Sequence, residues 1–260
     1  MANERRRFAD RLRRLRPSLS GTGLKIFGCF TMLFYTLSMT VFQNGLIGTG
    51  GYTLEQLQSA MASDPGFMRL TGVATGFQLI GGLSVPVFAF LLAEGFEHTA
   101  SFGKYLLSML AFGALSEVPY DWAIYGKFFS FDGQNVMFTY AICLIMLYGL
   151  RMVRKKYVHP GLFCAFIVLA AVLWASLLRT QFGLVTVLLC AIYYLLRERR
   201  GLSIVLGCLV SVLYITAPLS GYALWGYNGD RGKLRHKYIF YVLYPLHLLA
   251  LGWAAKFIAA

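Results

Sequence analysis

Residues 67–96 read FMRLTGVATGFQLIGGLSVPVFAFLLAEGF. Arg69 and Glu94 are the sole charged side chains in this stretch. About 20 apolar residues cross a bilayer as a helix, so the stretch spans with residues to spare. Gly81-Gly82 and Pro86 interrupt it, which makes two half-helices as reasonable as one continuous span. Seven further apolar segments lie near 24–45, 104–122, 134–150, 160–178, 182–196, 201–217 and 238–257. The expectation is an all-α, polytopic transmembrane helix bundle. It has about eight spans, or eight to ten with broken or short helices counted.

The composition agrees. Of 260 residues, 58% are apolar and 13% charged, against about 45–50% and 25% in soluble domains. That excludes disorder, because so much apolar surface does not stay solvated. It also excludes a coiled coil and a disulfide scaffold. Cys29, Cys143, Cys164, Cys190 and Cys208 are scattered through apolar runs with no CxxC, which reads as core packing. The net charge of +13 falls between apolar segments. It therefore points to topology and anionic lipid and not to nucleic acid.

The chain divides into a basic segment, 1–23, and a single transmembrane domain, 24–260. Residues 4–16, ERRRFADRLRRLR, carry seven arginines and do not read as a cleavable signal peptide. Phe8, Leu12 and Leu15 form a thin apolar stripe, so the segment is either a helix on an anionic leaflet or a solvated tail. By the positive-inside rule this end, RMVRKK (151–156) and RERR (197–200) are cytosolic. The cluster RGKLRHK (231–237) does not fit simple alternation. It fits if PLSGYALWGY (218–227) re-enters or spans as a short helix, which requires a packed or wet interior near Pro218. The chain is expected in the plasma or inner membrane, with anionic lipid at its cytosolic face.

Ionisable groups at membrane depth are costly and mark candidate sites. In AEGFEHT (93–99), Glu94 and His98 share a helix face at i, i+4. A carboxylate there orients an imidazole for general-base work, or the pair is a solvated helix end. In SEVPYDW (116–122), Glu117 and Asp121 flank Pro119, which is expected to kink or end the helix. In DGQNVMFT (132–139), Gln134 and Asn135 either position a substrate carbonyl or cap the next helix. His247 in YPLHLL (244–249) lies deep in an apolar run, as a base or as a hydrogen-bonded core residue. Thr53 and Gln56 have capping-box spacing, and Asp64-Pro65-Gly66 ends that short helix. No metal motif, nucleophile elbow or P-loop occurs, so no metal is expected.

Several strings occur together and in order: LKIFGCFTML (24–33), PVFAFLLAEGFEHT (86–99), KYLLSMLAFGALSEVPYDW (104–122), Gln134-Asn135, YNGDRG (227–232) and FYVLYPLHLL (240–249). Collectively they resemble the TraX family over most of residues 24–250. The resemblance implies a relation to membrane acyltransferases that draw on cytosolic acyl-CoA, and a link to N-terminal acetylation of conjugative pilin. Many members follow the first-span TML with an Asp-His pair; here Tyr35 and Thr36 stand in those places. The aligned position of a common Arg is about Gly82, and a DYG-like triplet reads Gln181-Phe182-Gly183. If the first-span His is the family's base, this chain has lost it.

The resemblance thus implies an acetyl- or other acyl-CoA co-substrate and an amine or hydroxyl acceptor on a protein or glycan. The expected base is His98 or His247, with Glu94 orienting it. Glu117, Asp121, Gln134 and Asn135 are placed around the acceptor. Lys104, Arg151 and Arg154 either meet CoA phosphates or serve topology alone. The other readings are a catalytically degenerate scaffold that binds a partner, and a small-molecule transporter.

Overall fold

The computed structural model describes residues 17–233 and 238–259. The stripe of Phe8, Leu12 and Leu15, and most of the last basic cluster, lie outside the described residues. Helix α1, Gly21–Leu37, starts where the Ser20 side chain accepts from Gly23 N. It runs without interruption into a π-helical segment, Ser38–Ile47, that stops at Gly48 with φ of 67°. Hydroxyls of Thr31, Thr36 and Thr40 bond back to carbonyls one turn earlier. Such back-bonds compete with the helical ladder and favour local irregularity.

The capping box at Thr53 and Gln56 is present in both directions and opens α2, Leu54–Ser63. Asp64 ends that helix and its side chain caps α3, Pro65–Gly82. Leu83 then separates α3 from α4, Ser84–Glu97, so the stretch at 67–96 is two half-helices. Pro119 neither ends nor starts a helix: α5 runs Phe102–Tyr125 with the proline buried inside it. The expected termination fails because α5 is held along its length by α11, Tyr238–Ala259. Packing on neighbours offsets a lost backbone bond in membrane helices.

Helix α6, Val136–Lys156, is the central span, packed against α5, α7 (Gly161–Leu177) and α8 (Gly183–Leu195). Leu144, Leu147 and Leu150 recur on its fully buried face with Val187 and Leu189 of α8. Among the described residues, four stretches are long and apolar enough to cross a membrane: Gly21–Ile47, Pro65–Glu97, Val136–Lys156 and Tyr238–Ala259. Helices α7 and α8 are apolar but shorter. Among the described residues there is no strand, only isolated bridges at Leu19–Tyr227 and Gln134–Thr180. The chain is a polytopic helical membrane protein.

The segment 201–217 is not one span. Helix α9, Arg200–Ser211, gives way to 3-10 turns at Val212–Tyr214 and Ala217–Leu219, and α10, Ser220–Trp225, returns alongside it. Cys208 Sγ donates to Pro218 O at 3.3 Å, and Arg200 Nη2 donates to Leu224 O and Tyr227 O at 3.0 and 2.7 Å. These pairs define an antiparallel helical hairpin. Its tip rests on the break between α3 and α4, where the Thr216 hydroxyl donates to Leu79 O and a side chain at Gly82 would press on Tyr214. One side of the irregular tip is covered by α3 and α4, while Val212, Leu213, Ile215 and Leu219 on its other side are exposed.

The hairpin explains the last basic cluster. Leu19 N donates to Gly226 O, and Gly21 N to Asp230 O, at 2.9 and 2.7 Å. Glu97 joins Arg151 and Arg197. The start of α1, the end of α6, residues 197–200 and residues 226–231 therefore share one end of the bundle.

Candidate functional site

A small pocket with several polar groups in its largely apolar wall lies where α1, α4, α5, α6, α8 and α11 meet. Tyr35, Thr36, Ser84, Tyr120, Tyr140, Gln181, Thr186 and Tyr244 line it, with apolar Met32, Val85, Phe88 and Phe182. Its enclosed space is about 20 Å³. Thr36 is positioned by α1 and is 4% exposed; His247, on α11, is 9% exposed. Thr36 Oγ1 and His247 Nε2 are 3.1 Å apart. His247 Nδ1 lies 3.0 Å from Leu243 O. A carbonyl only accepts, so Nδ1 carries the proton and Nε2 of the neutral ring accepts from Thr36. The Thr36 hydroxyl also lies 3.2 Å from Met32 O, so its proton has two alternative acceptors. Thr186 Oγ1 on α8 is buried with no hydrogen-bond partner among the described residues.

Glu117 and Asn135 come together, whereas Asp121 and Gln134 turn to other partners. Asn135 caps α6 by accepting from Met137 N at 2.9 Å. Its Nδ2 donates to Glu117 Oε2 and to Gly113 O, the latter at 2.8 Å. Capping and contact with the acid are thus made by the same side chain. Asp121 Oδ2 accepts from Ser130 N at 2.7 Å and fixes the 126–133 loop. Gln134 pairs through its backbone with Arg179 and Gln181. In that loop the Ser130 hydroxyl, and next Lys127, hold the Asp132 carboxyl below the ordinary aspartate range.

Glu94 and His98 do pair, at the basic end. His98 Nδ1 lies 3.5 Å from Glu94 Oε2 and 2.9 Å from Glu94 O. His98 is the C-cap of α4 and is 76% exposed. The pair shares a cleft of about 320 Å³ with Glu97, Tyr193, Tyr194 and Arg197. Arg151 donates to Glu97 Oε1 and Phe96 O at 3.0 and 3.2 Å and sits over the Phe96 ring. Lys104 is exposed at the start of α5, and Arg154 edges an apolar groove between α7 and α8. The structure therefore separates two candidate sites, the cleft at His98 and the pocket at Thr36. Among the described residues no three His, Cys, Asp or Glu side chains converge as metal ligands would.

A family model described as TraX protein matches residues 24–254. The chain belongs to the TraX family. A probable fimbrial assembly protein, FimC of serogroup H1 from Dichelobacter nodosus, is 27% identical over 208 residues, covering 70% of this chain and 83% of that protein. No solved structure matches.

The departures from the TraX pattern converge at one place. A Cβ on Gly81 would lie 2.7 Å from the backbone nitrogen of Tyr35, and Gly82 faces Tyr214. The Tyr35 ring packs on Phe182 with centroids 4.9 Å apart, and Phe182 on Tyr214 at 5.3 Å. The Tyr35 hydroxyl bonds the Gln181 side chain. Positions 35, 36, 181 and 182 thus line one pocket and Gly82 packs beside it on Tyr214, although they come from three separate segments. Sequence reasoning noted each as a departure and missed that they share a site. It missed Thr186, Ser84, Tyr120, Tyr140 and Tyr244 altogether. Their signal was hydroxyls recurring on otherwise apolar faces.

Proposed function

We propose that this TraX-family membrane protein transfers an acyl group from acyl-CoA to an amine or hydroxyl acceptor. The single observation that supports this most is the Thr36–His247 pair at the wall of the central pocket. The ring is locked in one tautomer, with its free nitrogen aimed at a hydroxyl. That is the arrangement of a general base, which contributes about 10²–10⁴-fold to proton-transfer catalysis. A hydroxyl at 36 does not replace a lost imidazole as base, so His247 takes that role. The basic end is proposed to face the cytosol, where Lys104 and Arg154 meet the anionic co-substrate and anionic lipid. Glu117 and Asn135 hold α5 against α6 at the far end of the pocket wall, and Glu94 with His98 borders the cytosolic cleft.

The Dichelobacter nodosus relative is named for fimbrial assembly. By analogy, the acceptor here is proposed to be the N-terminal amine of a fimbrial or pilus subunit, which the membrane holds beside the enzyme. The test is reconstitution in liposomes with acetyl-CoA and such a subunit. Transfer of label to the subunit supports the reading. Absence of both label transfer and thiol release across amine and hydroxyl acceptors contradicts it.

A scaffold reading is favoured by a different observation. Glu117 bonds Asn135, Asp121 bonds Ser130 and Glu97 pairs with two arginines, although Glu117 Oε1 and Asp121 Oδ1 are buried without a partner among the described residues. Under that reading the same polar groups set helix positions and the protein binds a partner without turnover.

A further inference from the structure

The pocket wall contains Thr36 but not His247. The imidazole sits behind the hydroxyl, 3.1 Å away and almost fully buried. A base in that place reaches a substrate in the pocket only through Thr36. We infer that Thr36 is the nucleophile of this site and carries the acyl group as an ester during transfer. The inference rests on the acyl-transfer reading above and specifies its course.

The parts of an activated nucleophile are present in order. Thr36 Oγ1 is the attacking atom, His247 Nε2 the base, and Leu243 O the group that fixes the ring. A nucleophile within hydrogen-bond reach of a base that is itself oriented by a third group is the general signature of covalent catalysis. The orphaned, buried Thr186 hydroxyl lines the same pocket. A buried donor without a partner is costly, and an oxyanion forming in the pocket supplies the missing acceptor.

The steps balance without any oxidant. His247 Nε2 takes the Thr36 proton as Oγ1 attacks the thioester carbonyl. The carbon–sulfur bond breaks, and the thiolate leaves with that proton, giving an ester on Thr36 and free CoA thiol. An acceptor amine then attacks the ester carbonyl, and as the carbon–Oγ1 bond breaks its proton passes to the departing Thr36 oxygen, beside which His247 Nε2 lies 3.1 Å away. This leaves an amide and the original hydroxyl.

The test uses the full chain in liposomes with acetyl-CoA and no acceptor, quenched and read by intact and peptide mass. One acetyl group is expected on the peptide bearing Thr36, with thiol released in equal amount. Thr36→Val should abolish the adduct. Should that variant not fold, Thr36→Ser keeps the hydroxyl and must carry the group at position 36. His247→Gln should slow adduct formation roughly 10²–10⁴-fold. If thiol release requires an acceptor and Thr36 stays unmodified throughout, transfer is direct and the inference is overturned while the acyl-transfer reading stands. If neither thiol release nor adduct occurs with or without acceptors, both fall.

Discussion

Thr36 Oγ1 and His247 Nε2 are 3.1 Å apart across 211 residues of chain. The contact joins the first helix to the last. The pair is buried, so neither group is exchanging with bulk water.

Close approach of α3 to α1 shapes the pocket. A methyl at Gly81 would lie within 2.7 Å of the Cα and nitrogen of Tyr35, which are backbone and cannot swing away. Gly81→Ala should destabilise the protein by about 1–3 kcal/mol, the usual range for overpacking, and should displace Tyr35 from Gln181. Gly76→Ala, with nothing within 4 Å, should leave stability almost unchanged. Thermal unfolding of the two variants in the same detergent checks this. Equal melting points would show that the helices are not in this register.

Asn135 serves three partners at once, so Asn135→Ala should cost more than a lost cap. The cap is worth about 1 kcal/mol, and the lost bonds to Gly113 O and Glu117 Oε2 add about 0.5–1.5 kcal/mol each, the Glu117 oxygen keeping the Asn135 backbone N–H. Glu117→Gln retains an acceptor and should cost less. A smaller loss for Asn135→Ala than for Glu117→Gln would contradict the assignment of Asn135 as the hub.

The hairpin brings the end of α6, residues 197–200 and residues 226–231 to one end of the bundle. Single cysteines at Lys155, Arg199 and Lys233, in a background without native cysteines, should all react with an impermeant thiol reagent from one face of the membrane. Accessibility of Lys233→Cys from the opposite face alone would mean that α9 and α10 cross the bilayer rather than turn back.

Asp132 is held below the ordinary aspartate range by Ser130 and Lys127. A carboxyl depressed in the folded state stabilises above its unfolded value, about 3.9. That contribution is lost as pH falls through the folded value. Proteolysis within 126–133 should therefore rise at low pH in the wild type and be already raised, with a flatter profile, in Asp132→Asn. Identical profiles would remove the carboxylate from any role in the loop.

Much of this architecture was legible in the chain. Gly81-Gly82 marked the break between α3 and α4, and Thr53 with Gln56 marked the start of α2, because both signals are local. Asn135 was read as a cap or a ligand; it is a cap, and the same amide binds Glu117. Pro119 misled, since its local preference to end a helix loses to packing along α5. The 201–217 run was read as a span because apolar content does not distinguish a crossing from an entry and return. The later basic cluster supplied the only hint of the return. The Thr36–His247 pair was not legible, because a threonine on an apolar helix carries no mark of what faces it 211 residues later.

The most direct test of the account is the steady-state release of CoA thiol by the reconstituted protein, with an amine acceptor, for wild type and His247→Gln. The account expects turnover in the wild type and a loss of roughly 10²–10⁴-fold in the variant, with acyl-CoA affinity and melting temperature little changed. Wild-type turnover in a folded His247→Gln protein would contradict it.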